Sequence, residues 1–172
     1  MSKKNIFLIG FMGAGKSTIA KQLSAKLGME RIEMDQMIVE EQGMPITEIF
    51  EKYGEEHFRD IETDLVDRLQ KRDGVIVSCG GGAVLRDKNT ELMKANGQVV
   101  LLTATPETIY ERVKNSKDRP GLNGNMNVEY IRGLMEKRRE RYETVADITI
   151  TTDGKDAGQI CGEIVKQLQL DK

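Results

Sequence analysis

Short apolar runs alternate along the chain with longer segments whose apolar residues recur every three or four positions. The clearest runs predict strands at residues 6–9, 75–77 and 99–102, and weaker runs predict two more at 31–32 and 148–150. Apolar strands separated by helical segments are typical of a parallel sheet that helices cover on both faces. The pattern therefore predicts an α/β fold built on a five-stranded parallel sheet.

Helical periodicity and capping residues locate the helices. One helix is predicted over Lys16–Leu27, with Gly28 as its C-cap, and another over residues 55–70. Two more are predicted to begin at capping signals, namely Thr105 before Pro106, and Asp156 three residues before Gln159.

Length and charge narrow the class of protein. With 172 residues the chain fits a single domain, 1–172. Its 26 basic and 28 acidic side chains give a net charge of −2, and aromatic residues make up 5%, so neither a nucleic acid nor a membrane is expected as a partner. Cys79 and Cys161 are too far apart in sequence for a metal cluster or a disulfide framework, which favours a reducing cytoplasm. We expect a monomer.

The strongest local signal is a phosphate-binding loop at residues 10–17, which matches G-x-x-x-x-G-K-[ST] between a predicted strand and a predicted helix. Glycines let backbone N–H groups wrap the phosphates, Lys16 adds a cation, and Ser17 offers a hard oxygen to Mg²⁺. An ordinary glycine-rich turn is the alternative, and the flanking elements argue against it. The predicted nucleotide contacts here are Gly13, Ala14, Gly15, Lys16, Ser17 and Thr18.

Other NTPase signatures are missing from the sequence. The strands at 75–77 and 99–102 do not end in the metal-binding Asp of a motor or signalling NTPase, and residues 115–118 place a lysine one position late for a guanine-binding motif. These features favour a small kinase, in which positioning and charge neutralisation carry phosphoryl transfer.

Acidic and glycine residues follow two of the predicted strands. Asp35 stands where an open sheet presents its ligand crevice, so it can accept the proton of an attacking hydroxyl; a helix N-cap is an equally open interpretation. Gly80, Gly81 and Gly82 offer bare backbone to a ligand, with a flexible turn as the alternative. Cys79 is expected to be a buried filler.

Taken together, the motifs resemble those of the shikimate kinase family over nearly the whole chain. The order and spacing match at the phosphate loop, Asp35, residues 43–50, Gly54-Glu55 with Phe58-Arg59, the three glycines, Arg119-Pro120 and Lys137-Arg138. The resemblance implies a P-loop fold like that of nucleoside monophosphate kinases. It also implies ATP-dependent phosphorylation of the 3-hydroxyl of shikimate, on the route to chorismate and the aromatic amino acids.

The resemblance also implies residue roles. Asp35 contacts the reacting hydroxyl, Arg59 and Arg138 clamp the shikimate carboxylate, and Glu62 orients Arg59. The three glycines contact the substrate through their backbone. Arg119 reaches the transferred phosphate, and Arg112 and Lys155 contact the nucleotide.

The implied cofactor is Mg²⁺, held by Ser17 and by Glu33, where the family usually has Asp. The substrate-binding region is expected at about 33–62 and a lid at about 114–128. Two alternatives stay open: a related kinase acting on gluconate or a nucleoside monophosphate, and a nucleotide-binding regulator without activity, for which the Glu33 change is the motive.

Overall fold

The computed structural model describes residues 4–114 and 127–169, and its centre is a parallel sheet. Within that part of the chain the sheet has five strands in the order β2-β3-β1-β4-β5. Their bounds are β1 Asn5–Ile9, β2 Glu30–Glu33, β3 Val75–Ser78, β4 Gly97–Thr103 and β5 Ile148–Thr151. All five predicted strands are confirmed, each within two residues of the expected bounds.

Helices cover both faces of the sheet, as the apolar character of its strands requires. They are α1 Lys16–Leu27, α2 Met34–Gln42, α3 Ile46–Gln70, α4 Asp87–Ala95, α5 Pro106–Val113, α6 Val128–Val145 and α7 Ala157–Gln167, with a 3₁₀ turn at Ala83–Leu85. The helix predicted over 55–70 is the second part of α3. The first part of α3 ends at Gly54, whose φ of 87° breaks the helical backbone.

Alternation along β1 separates two hydrophobic cores. Ile6 and Leu8 pack on one side of the sheet with α1, α5, α7 and the first half of α6. Phe7 and Ile9 pack on the other side with α2, α3, α4 and the last turns of α6. All five residues of β1 are buried. Burial on both faces fits an interior strand, and the strand order makes β1 the middle one, so the loop that follows β1 lies in the middle of the sheet edge.

Three of the predicted capping signals are confirmed and one is wrong. Gly28 adopts a left-handed φ of 67° and closes α1, and the Thr105 hydroxyl accepts the N–H of Thr108 at 3.2 Å. Asp156 and Gln159 form a reciprocal capping box. The N-cap interpretation of Asp35 is wrong, because α2 begins one residue earlier, at Met34.

The strand register places three segments at one edge of the sheet. Ser78 pairs with Leu8 of β1 on one side and with Glu33 of β2 on the other. These residues lie at or next to the carboxyl ends of their strands, so the phosphate loop, α2 with Asp35, and the three glycines all start from the same place. This is the edge at which open α/β sheets bind ligands.

The described residues also bear on the membrane and on the two cysteines considered above. No helix within 4–114 or 127–169 is long and apolar enough to cross a membrane. Cys79 and Cys161 are buried free thiols, and burial raises the pKa of the Cys79 thiol, so it is poorly reactive as expected for a filler.

Candidate active site

The phosphate loop connects β1 to α1 in a conformation that needs glycine. Gly15 has a φ of 98° and occupies the N-cap position of α1, so its peptide turns into the helix N-terminus without a β-carbon. At Gly10 a β-carbon would lie 2.4 Å from the Leu102 carbonyl oxygen. The loop is therefore shaped by its glycines and by close contact with β4.

Lys16 lies over this loop. Its Nζ donates to the carbonyl oxygens of Gly10 at 2.6 Å and Phe11 at 3.0 Å, and only 9% of the residue is exposed. The positive charge is thus held at the entrance to the helix N-terminus, where phosphate groups bind.

Ser17 and Glu33 meet across the same edge. The Ser17 hydroxyl donates to Glu33 Oε1 at 2.7 Å and lies 3.5 Å from the Ser78 hydroxyl. Hydroxyl and carboxylate oxygens are the protein ligands that Mg²⁺ accepts while keeping most of its shell for water and phosphate. Among the described residues, no group of three or more His, Cys, Asp or Glu side chains could hold a metal ion by itself.

A cavity of about 270 Å³ opens in front of the loop. Its walls come from the phosphate loop, the end of β2, Asp35 and the turn after β3; they include Gly13, Gly15, Lys16, Ser17, Thr18 and Glu33. Ala14 is buried, and its N–H donates to the Phe11 carbonyl at 3.1 Å inside the loop.

Arg112 and Lys155, the two nucleotide contacts predicted outside the phosphate loop, differ in position relative to that loop. Arg112 Nη1 donates to the Gly13 carbonyl at 2.9 Å, so it lies against the phosphate loop. Lys155 pairs with Glu163 at 2.8 Å and is not among the described residues that line either cavity of this edge. Arg119 and residues 115–126 of the predicted lid lie outside the described residues.

A second, larger cavity of about 570 Å³ adjoins the first. It brings together the predicted substrate contacts from four separate elements: Asp35 of α2, Arg59 of α3, Gly80, Gly81 and Gly82 after β3, and Arg138 of α6. Apolar side chains complete the wall: Met12, Val39, Pro45, Ile46, Phe50, Phe58 and Leu134. The cavity combines an apolar wall with a few converging charges, the usual make-up of a small-molecule site.

Arg59 is fixed by a buried carboxylate. Its Nη1 lies 2.7 Å from Glu62 Oε1, and Glu62 is 1% exposed. Burial raises the pKa of Glu62 above its ordinary value, although the charge and hydrogen bond of Arg59 oppose the shift. Gly82 makes room for this pair, because a β-carbon there would lie 2.5 Å from Arg59 Nη1.

Arg138 packs against an aromatic ring of the phosphate loop. It is 9% exposed, and its guanidinium lies over the Phe11 ring, 5.7 Å from the centroid. One turn further along α6, the Tyr142 hydroxyl donates to the Gly81 carbonyl at 2.5 Å. Neither Phe11 nor Tyr142 was predicted as a site residue: Phe11 occupies a variable position of the phosphate-loop motif, and no motif marks Tyr142.

The two cavities share a wall. Met12, Asp35, Gly80 and Gly81 line both, so Asp35 faces the phosphate side and the larger cavity at once. A β-carbon at Gly80 would lie 2.9 Å from Asp35 Oδ1, so the glycine leaves this carboxylate its space. A ligand hydroxyl at Asp35 would therefore face the phosphate cavity.

Comparison with known proteins decides the family. The shikimate kinase family model matches residues 12–169. The chain is 42% identical to the shikimate kinase of Sulfurihydrogenibium sp. over 166 residues, which cover 96% of this chain and 98% of the relative.

The chain belongs to the shikimate kinase family.

Solved structures agree with this assignment. A shikimate kinase from Acinetobacter baumannii, solved in complex with shikimate, superposes with a TM-score of 0.93 at 35% identity, covering 97% of this chain and 93% of that one. A gluconokinase from Sinorhizobium meliloti superposes at 0.62 with 19% identity over 96% and 91% of the two chains, a likeness that shows the fold alone. The predicted family and P-loop kinase fold are thus confirmed.

Proposed function

We propose that the chain transfers the γ-phosphoryl group of ATP to the 3-hydroxyl of shikimate, giving shikimate 3-phosphate and ADP on the route to chorismate. The observation that carries the proposal is the wall shared by the two cavities, in which Asp35 faces both the phosphate loop and the charged cavity. A bisubstrate kinase needs such a junction, because the attacking oxygen and the phosphorus must approach in line.

The larger cavity suits a small carboxylic acid that carries hydroxyl groups. Arg59 and Arg138 both line it, and a guanidinium fork matches the two oxygens of a carboxylate. The whole chain has a net charge of −2, and Asp35, Glu55 and Glu62 also line the cavity, so it is the two guanidinium groups themselves that favour an anion. The backbone of Gly80, Gly81 and Gly82 leaves space for a ring and supplies polar groups without side chains.

Asp35 is the group that receives or orients the reacting proton. The shikimate oxygen forms a bond to the γ-phosphorus as the bond from that phosphorus to the β–γ bridging oxygen breaks, and the hydroxyl proton passes to the Asp35 carboxylate. Lys16 and the backbone N–H groups of the phosphate loop lie where charge on the leaving ADP must be balanced. Arg119, carried over from the family motif, completes the charge balance from the lid.

Mg²⁺ belongs to the proposal as the cofactor. Ser17 and Glu33 would hold it, Ser17 directly and Glu33 in the outer shell, since the two side chains already meet at 2.7 Å. When bound, the ion neutralises phosphate charge. Glu33 replaces the usual Asp of the family pattern, and its carboxylate accepts the Ser17 hydroxyl, so a carboxylate oxygen is present at the site.

The remaining expectations belong to the same proposal. They are a single domain over 1–172, a substrate-binding region at about 33–62, a lid at about 114–128, ATP contacts at Arg112 and Lys155, a monomer, a cytoplasmic location, and no nucleic acid or membrane partner. Lys155 is paired with Glu163 at 2.8 Å, and its ammonium has three N–H donors, so a nucleotide contact would share this lysine with Glu163 or replace the pair.

A coupled assay of ADP release tests the activity. With ATP, Mg²⁺ and shikimate we expect turnover, and omission of shikimate should abolish it. Gluconate and a nucleoside monophosphate at the same concentration form the comparison panel, because kinases of both kinds have the same phosphate loop. Turnover with a panel compound and none with shikimate would reassign the substrate; binding of ATP without any turnover would indicate a regulator.

A further inference from the structure

The carbonyl groups of the three-glycine turn accept hydrogen bonds from different kinds of donor. The carbonyls of Gly80 and Gly82 accept backbone N–H groups from the turn that follows them, at 3.1 Å in both cases. The Gly81 carbonyl instead accepts the Tyr142 hydroxyl at 2.5 Å. The middle glycine of the turn is therefore tied by a side chain to α6, a helix more than 60 residues away in sequence.

Tyr142 also belongs to the surroundings of Arg138. The two residues are four positions apart on α6 and so share a face of the helix, and they are 5% and 9% exposed. The position of a β-carbon at Gly81 is 3.7 Å from Arg138 Nη1, so the guanidinium lies against the same glycine that Tyr142 holds. These three residues form one packed group, in which Gly81 and Arg138 line the larger cavity and Tyr142 supports them.

The chemistry of the phenol favours a donor. Burial raises the pKa of Tyr142, and the charge and side-chain hydrogen bond of Arg138 oppose the shift without reversing it. The hydroxyl thus stays protonated at neutral pH and can keep donating to the Gly81 carbonyl. Loss of the donor would remove the hydrogen bond between α6 and the half-buried Gly81 carbonyl, and with it this restraint on the turn.

We propose that Tyr142 is a positioning residue for substrate recognition: by tying the Gly81 turn to α6, its hydroxyl holds the Arg138 guanidinium in the orientation that receives the substrate carboxylate. The proposal rests on the proposed function, since it assigns Arg138 to a carboxylate. It adds to the site a residue that touches neither substrate nor nucleotide and acts through its two neighbours.

The test begins with Tyr142→Phe, which removes the hydroxyl and keeps the ring. We expect the KM for shikimate to rise about tenfold, the effect of losing one partly buried hydrogen bond, while kcat and the KM for ATP stay within about twofold. Tyr110→Phe is the matched control, because Tyr110 is a partly buried tyrosine of α5 in the opposite hydrophobic core. It should leave both KM values unchanged.

A double-mutant cycle separates positioning from general packing. In an Arg138→Ala background there is no guanidinium to orient, so Tyr142→Phe should change the KM for shikimate by less than about twofold. The same tenfold change in both backgrounds would overturn the proposal. So would an unchanged KM in the single variant, or a parallel loss of kcat and ATP affinity, which indicates a structural role. Absence of shikimate turnover by the unsubstituted chain would instead contradict the proposed function, and the positioning role with it.

Discussion

Alanine at Gly82 tests the carboxylate clamp without replacing any charged residue. A β-carbon at this position would lie 2.5 Å from Arg59 Nη1, 2.6 Å from Nη2 and 2.7 Å from Cζ. Non-bonded atoms of this kind meet at about 3.5 Å, so the guanidinium must retreat by roughly 1 Å. Because it is the far end of a flexible side chain, Arg59 can move while the backbone stays in place.

The expected cost falls on substrate binding. A hydrogen bond to a charged group contributes about 1.5–3 kcal/mol, which corresponds to roughly a 10–100-fold change in affinity. Retreat of Arg59 also disturbs its 2.7 Å contact with Glu62. For Gly82→Ala we therefore expect the KM for shikimate to rise about 10–100-fold, with kcat changed less than about threefold and the thermal midpoint shifted by only a few degrees.

The assay measures initial rates over shikimate and ATP concentrations, together with thermal unfolding of the same samples. Gly162→Ala in α7 is the control, since nothing within 4 Å would contact its β-carbon and alanine favours a helix by up to about 1 kcal/mol. An unchanged KM for shikimate in Gly82→Ala would refute the assignment of Arg59 to the clamp. A large fall in the thermal midpoint would show instead that Gly82 is needed for folding.

Three further changes address the other site residues. Asp35→Asn should lower kcat about 10²–10⁴-fold while the thermal midpoint stays close to that of the parent; unchanged turnover would remove Asp35 from the reaction. Arg138→Ala should raise the KM for shikimate about 10–100-fold, whereas Arg139→Ala, whose side chain is 62% exposed, should leave it unchanged; equal effects would reassign the clamp. Glu62→Gln should raise the KM for shikimate by loosening Arg59. The folded-state pKa of Glu62 is raised, so the protonated form of this residue favours the folded state. Its contribution to the free energy of unfolding is complete below the unfolded pKa of about 4.3 and is lost as pH rises through the folded pKa. The midpoint of Glu62→Gln relative to the parent should therefore increase with pH above about 4.3, and a difference independent of pH would contradict the raised pKa.

Much of the fold follows from local sequence. The glycines of the phosphate loop, the Gly28 C-cap and the Asp156 capping box were predicted correctly, because each depends on the backbone of a few consecutive residues. The strands were also found, since runs that are apolar on both faces fit only a covered parallel sheet. Gly54 was noticed only as part of a family motif, and the helix before it was missed although Ile46, Ile49, Phe50 and Tyr53 recur at helical spacing.

The role of Asp35 could not be decided from its neighbours in sequence. As a sequence feature it fitted a helix N-cap as well as a reacting group. The start of α2 at Met34 and the wall shared by the two cavities removed the cap interpretation. Tyr142 and Phe11 were not singled out at all, because their importance comes from Gly81 and Arg138, which are distant in sequence.

By itself the sequence determined the loop that binds phosphate, the kind of sheet that carries it, and the family to which the chain belongs. Only the tertiary structure decided that Arg138 is buried while Lys137 and Arg139 beside it are exposed. A run of basic residues on a helix looks uniform in sequence. Which of them turns inward depends on how α6 is rotated against the Gly81 turn and the phosphate loop, and packing between distant segments sets that rotation.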